Sequence, residues 1–141
     1  MLGIVGYRRE SELAVKKHMA DEYQIPFEEI ENIRIIVAYE SEPDYSMSNW
    51  FLFIGEDGQL YENHGSHCSC DGFEGQWRPE KTSVEYLLSN KLYLCDVSDE
   101  TKESIQEYIK KELQTYIPGP LPNRRDAIRA TKNKNKIDTV P

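Results

Sequence analysis

Trp50-Phe51-Leu52-Phe53-Ile54-Gly55-Glu56-Asp57-Gly58-Gln59-Leu60-Tyr61-Glu62-Asn63-His64 is the stretch that decides the fold. The apolar run Trp50 to Ile54, aromatic and branched throughout, predicts a strand. Asp57-Gly58 supplies residues that tolerate the left-handed backbone of a tight reversal, so an antiparallel hairpin follows, with 59–64 as its return strand. Upstream, Ile33-Arg34-Ile35-Ile36-Val37-Ala38-Tyr39 is β-branched and nearly all apolar, which predicts a strand covered on one face or both. Downstream, Leu92-Tyr93-Leu94-Cys95-Asp96-Val97 reads as a fourth strand or as an extended segment lying beside the sheet.

Helices flank this sheet. Ser11 to Tyr23 places Val15, Met19 and Tyr23 four residues apart on one face, and Pro26 ends the run before a short proline-led turn. Thr82-Ser83-Val84-Glu85 has the spacing of a capping box and starts a short helix through Leu88. Ser98 followed by Asp99 and Glu100 marks a further helix start, since a hydroxyl caps free amides and acids suit the positive end of the dipole. That helix is expected to reach about Ile117, burying Ile105, Ile109, Leu113 and Tyr116, before Pro118-Gly119-Pro120 stops it. Residues 41–48 and 65–78 read as loops. The expected fold is α+β: an antiparallel three- to four-stranded sheet with two main helices on one face and an extended basic C-terminal arm. The expected division is a globular domain over residues 1–117 and a Pro-rich, then basic, arm over 118–141.

A chain of 141 residues supports one core. No apolar run of about 18 residues predicts a membrane span, and Met1 to Arg8 lacks the basic-then-apolar order of a signal peptide. Three cysteines, an odd number with two of them one residue apart, argue against a disulfide framework and predict a cytoplasmic setting. Charge is unevenly placed. Residues 118–141 hold six basic side chains (Arg124, Arg125, Arg129, Lys132, Lys134, Lys136) against Asp126 and Asp138, about +4. The formal total of −8 leaves −12 on residues 1–117, from 11 basic and 23 acidic residues. Such a body repels nucleic acid and attracts basic surfaces, whereas the arm does the reverse.

Residues 63–78 carry the densest chemistry: Asn63-His64-Gly65-Ser66-His67-Cys68-Ser69-Cys70-Asp71-Gly72-Phe73-Glu74-Gly75-Gln76-Trp77-Arg78. The stretch from Gly65 to Trp77, Gly-Ser-His-Cys-Ser-Cys closed by Glu-Gly-Gln-Trp, resembles a family of small uncharacterised proteins of phages and prophage-bearing bacteria. Residues 50–80 are covered by the likeness. It implies a phage or prophage origin, hence the cytoplasm of a host cell, and it transfers no activity.

Three readings of this loop stand side by side. His64, His67, Cys68 and Cys70 offer the imidazole and thiolate ligands that zinc prefers, although adjacent His67 and Cys68 cannot easily point at one ion. Cys68 or Cys70, activated by His64 or His67 with Asp71 or Glu74 as orienter, would make a nucleophile. The third reading is structural: Gly65, Gly72 and Gly75 permit left-handed turns, the small cysteines pack inward, His and Gln satisfy loop backbone, and Phe73 and Trp77 pin the loop to the sheet. The structural reading is preferred, with no catalytic residue and no obligatory cofactor.

Other features have bland readings. His18 sits among charged residues as a solvent-side or interface residue. Tyr39, Tyr45, Trp50, Tyr61 and Trp77 suit core packing better than a base-stacking platform, given the acidic body. The runs at 28–31 and 96–103 are solvated faces and caps, with mimicry of DNA phosphates as the sharper alternative. Together these features predict a non-enzymatic protein that binds another macromolecule, as an inhibitor or modulator of a host protein. The alternative is a structural or accessory subunit whose arm straps onto a neighbour in an oligomer or hetero-complex. The expected contacts are Phe73, Trp77 and Arg78 in the loop, and Arg124, Arg125, Arg129, Lys132 and Lys134 in the arm. The arm also offers charge for nucleic-acid phosphates.

Overall fold

The computed structural model describes residues 1–119. In chain order it contains β1 (Leu2–Val5), α1 (Glu12–Tyr23), a 3-10 turn (Phe27–Glu29), β2 (Arg34–Glu40), β3 (Ser46–Ile54), β4 (Leu60–Cys68), β5 (Glu80–Lys81), α2 (Val84–Leu87) and α3 (Asp99–Glu112). The sheet runs in the order β1-β2-β3-β4-β5, with β1 parallel to β2 and every other pair antiparallel. The class is α+β as expected, but the sheet is mixed and has five strands among the described residues rather than three or four.

The central hairpin pairs Trp50 with His64, Phe51 with Asn63 and Ile54 with Leu60. Gly58 closes its turn at φ 77°, donating to the Gly55 carbonyl at 3.0 Å. Both strands run further than their apolar core suggests. β3 starts at Ser46, and β4 continues to Cys68, so Ser46 to Asn49 and Gly65 to Cys68 form paired strand rather than loop. The polar groups there are held: the Ser48 amide donates to the Ser41 hydroxyl, the Ser48 hydroxyl donates to Asp96, and Asn49 accepts from the Tyr23 hydroxyl.

Alternation along β3 divides the interior into two layers. Trp50, Leu52 and Ile54 pack with Leu87, Leu92, Leu94, Ile105, Ile109 and Leu113 beneath α2 and α3. Phe51 and Phe53 pack with Val15, Met19 and Tyr23 of α1, together with Tyr7, Ile33 and Phe73. The first and last helices therefore cover opposite faces, which corrects the expectation that they share one. The physical reason is the run Trp50–Ile54 itself, since a strand apolar at every position has to be covered on both sides. A bulge between Ile35 and Val37 puts Ile36 and Val37 together on the α3 side, and the Ile35 amide it displaces donates to Glu12 at 3.0 Å.

Two further expectations are corrected. Leu92 to Val97 forms no strand; Leu92 and Leu94 are buried beneath α3, but the backbone is irregular and Asp96 has φ 60°. β1, a strand that the sequence does not announce, takes the outer place beside β2. α3 ends at Glu112, five residues short of the expected boundary, and the turn after it lets the Tyr116 hydroxyl donate to the Gly58 carbonyl at 2.7 Å. No helix of the described residues is long and apolar enough to cross a membrane.

Candidate functional site

The segment from Gly65 to Trp77 is held by contacts that use most of its distinctive residues. Gly65 lies where β4 passes under α1, and a Cβ there would meet Asn49 Oδ1 at 2.5 Å and both Phe73 and the Tyr23 hydroxyl at 3.0 Å. Gln76 reaches back to the open edge of β4: its side-chain oxygen accepts from the Ser66 amide and its Nε2 donates to the Ser66 carbonyl, each at 2.8 Å. One amide thereby replaces a missing neighbour strand. Phe73 is fully buried, and Trp77 stacks on Phe53 with ring centres 5.4 Å apart. The His67 ring meets Phe73 edge-on at 4.3 Å while its Nδ1 bonds the Cys68 carbonyl at 2.7 Å.

Four predicted zinc ligands are thus not brought together. His64 lies against Trp50 on the α3 side of β4, and His67 lies against Phe73 on the α1 side, as alternation along a strand requires. Cys68 and Cys70 do meet, with their sulfurs 2.9 Å apart and Asp71 Oδ2 at 3.7 and 3.9 Å. This corner is at the surface, half-buried at Cys68 and exposed at Cys70 and Asp71, so the cysteines do not pack inward. The bond from Cys68 and then the negative charge of Asp71 raise the Cys70 thiol above its ordinary range. That favours the thiol over the nucleophilic thiolate.

On the other side of β4, Glu62 is buried and accepts from Trp50 Nε1 at 2.9 Å and lies 3.3 Å from His64 Nε2. Burial pushes its carboxyl up, but hydrogen bonds from His64, Thr82 and Trp50 outweigh this and hold it below the ordinary carboxylate value. The exposed His64 ring, oriented by that carboxylate, looks into an open groove of about 1020 Å³ whose walls include Gln76, Arg78, Lys81, Ser83 and Tyr86. A smaller hollow of about 500 Å³ adjoins Cys70 and Asp71.

Among the predicted contact residues, Arg78 is exposed on the groove and Trp77 is half-buried in its stack. Phe73 is corrected from a contact to a core residue, because the loop closes over the α1 layer and leaves none of its ring at the surface. Of the three glycines read as left-handed positions, only Gly75 has positive φ, at 79°. Gly65 is required by crowding instead. Arg124, Arg125, Arg129, Lys132 and Lys134 lie outside the described residues. Tyr39 and Trp50 are buried on the α3 side and Tyr61 and Trp77 sit on the α1 side, so these rings form core rather than one stacking platform.

A second polar cluster escaped the sequence reading. His18 Nε2 lies 2.9 Å from Glu22 Oε1 and 3.4 Å from Glu40 Oε2. Tyr7, only 2% exposed, meets the His18 ring edge-on at 5.4 Å. Its hydroxyl lies against the Glu40 carboxylate without a hydrogen bond of good geometry. Burial, and then the negative charge of Glu22, raise the Glu40 carboxyl above the ordinary range. The spacing of His18 and Glu22 on one helix face was visible in the sequence, but Glu40 joins them only through the fold.

No family model, curated protein or solved structure matches the chain.

Proposed function

We propose that this chain binds another protein, through the groove along β4 and β5, and that its acidic body selects a basic partner surface. The observation that carries this reading is the −12 charge on residues 1–117, from 23 acidic and 11 basic side chains. A field of that sign disfavours nucleic acid on the body and speeds encounter with a positively charged protein. The groove supplies the place: it is wide, open, and walled by polar side chains around the oriented His64. The likeness of Gly65–Trp77 to phage and prophage proteins supports a host protein as the partner, inhibited or modulated by occupation of its surface. The opposite charge of residues 118–141 supports a second reading, in which the arm straps onto the acidic body of a neighbouring subunit.

Affinity capture with the full chain as bait, from nuclease-treated lysate of its source organism, tests the first reading. A stoichiometric basic protein should be retained at low salt, released as salt rises, and weakened by Glu74→Lys with Glu80→Lys, two exposed acids of the groove. Capture that disappears with nuclease, or that is unchanged in the groove variant, refutes it. Light scattering tests the second reading, because deletion of 118–141 has to change the oligomer size for that reading to stand.

A further inference from the structure

Among the described residues, three buried side-chain polar atoms lack a hydrogen bond: Tyr7 Oη, Glu40 Oε1 and Asn49 Nδ2. All three belong to one neighbourhood. Glu40 and Asn49 are cross-strand partners on β2 and β3, both pointing to the α1 side, and the Tyr7 hydroxyl lies against Glu40. Asn49 Oδ1 is already taken by the Tyr23 hydroxyl, which in turn accepts from Asn63 at 3.1 Å. The polar chain that starts at Asn63 thus stops at Asn49, the cross-strand partner of Glu40. Buried groups are otherwise paired, so a concentration of orphans at one point marks a place where a further group belongs.

We propose that His18 Nε2, Glu22 Oε1 and Glu40 Oε2 bind one first-row divalent cation of the zinc class. The three donor atoms lie within 4.8 Å of one another, and two of their separations are 2.9 and 3.4 Å. Ligands about 2.0 to 2.2 Å from a tetrahedral ion sit roughly 3.3 Å apart, so little movement is needed. One imidazole and two carboxylates form a mixed nitrogen and oxygen set that suits zinc, manganese or ferrous iron rather than a soft monovalent ion. The elements supply this arrangement for structural reasons. His18 and Glu22 are four residues apart on α1 and share a face, and Glu40 closes the end of β2 beneath them.

A protonated His18 paired with two glutamates would explain the short distances but not the rest. An imidazolium has one proton at Nε2 to share between two carboxylates, and it leaves Glu40 Oε1 without a partner. A cation accounts for the convergence of both carboxylates and can take the second Glu40 oxygen as a bidentate ligand. Access is available, since the His18 side chain is 44% exposed while that of Glu40 is 10% exposed. The site is independent of the groove and does not rest on the partner-binding reading.

The thiols of Cys68 and Cys70 would bind the same ions, so the test uses full-length Cys68→Ser/Cys70→Ser protein, freed of metal by chelator. Calorimetric titration with zinc chloride should show one equivalent bound, and cobalt should give the visible bands of a nitrogen and oxygen site without sulfur charge transfer. His18→Ala and Glu22→Gln, both in half-exposed or exposed positions, should each weaken zinc by at least about tenfold and abolish the zinc-dependent rise in melting temperature. Absence of saturable binding in the Cys68→Ser/Cys70→Ser protein overturns the assignment. So does binding that persists unchanged in the His18 and Glu22 variants while their melting curves show that they are folded.

Discussion

Gly65→Ala should destabilise the chain by about 2 to 4 kcal/mol, a large share of the roughly 5 to 15 kcal/mol that holds a domain together. The new methyl would stand 2.5 Å from Asn49 Oδ1 and 3.0 Å from Phe73 and the Tyr23 hydroxyl. Overpacking of this kind costs about 1 to 3 kcal/mol, and displacing the Tyr23–Asn49 hydrogen bond adds about 1. Gly75→Ala provides the contrast. Nothing lies within 4 Å of a Cβ there, but φ is +79°, so only the left-handed penalty of about 1 to 2 kcal/mol applies. The assay is urea unfolding followed by tryptophan fluorescence, with thermal melts in parallel. For a domain of this size the Gly65 variant should melt about 8 to 16 °C lower. If Gly65→Ala costs less than Gly75→Ala, the packing of β4 against α1 is not as described and the structural account of the motif fails.

Two further outcomes follow from the same strand. Gln76→Ala removes both side-chain bonds to Ser66, so stability should fall by about 1 to 3 kcal/mol and hydrogen exchange at the Ser66 amide should quicken; an unchanged Ser66 rate would contradict the bidentate contact. Glu62, whose folded value is held below 4.5, contributes stability that is present above that ordinary value and lost as pH falls through the lower folded one. Urea midpoints of the wild type should therefore drop across that acidic window more steeply than those of Glu62→Gln, and parallel profiles would remove Glu62 from the account.

The hairpin and both flanking long helices were legible because each rests on local signals: an apolar run, an Asp-Gly turn, serine caps at Ser11 and Ser98. β1 was not, because Leu2 to Val5 is four residues with a glycine inside, and its parallel partner lies 35 positions away. Nor did Ser46-Met47-Ser48-Asn49 look like strand. Its polar side chains are accommodated because Asp96 accepts from the Ser48 hydroxyl and Tyr23 donates to Asn49 Oδ1, both from positions distant in sequence. The opposite placement of the two helices was written in Trp50–Ile54, where uninterrupted apolarity signals cover on both faces. In the loop, the pinning by Phe73 and Trp77 and the backbone duty of Gln76 followed from residue type. The same burial that pins Phe73 removes it as a contact, and that conflict becomes visible only when the face it occupies is known.

Residue identity and residue availability separate along this chain. The motif from Gly65 to Trp77 draws the eye because its residue types are uncommon together, yet Gly65, Phe73, Gln76 and Trp77 are committed to closing the open edge of β4 and covering the α1 layer. A side chain committed to that extent has little binding capacity left, so the reactive remainder of the motif shrinks to Cys68, Cys70 and Asp71 at one exposed corner. His18, Glu22 and Glu40 are unremarkable in the sequence, where a histidine among charges reads as surface. In the fold Glu40 carries one of the three unpaired buried polar atoms of the described residues, the Tyr7 hydroxyl lies against it, and Asn49 is its cross-strand partner. Unspent hydrogen-bonding capacity, rather than density of chemically distinctive residue types, is the feature that sets a candidate binding centre apart from scaffold, and by that criterion the centre lies between α1 and the end of β2.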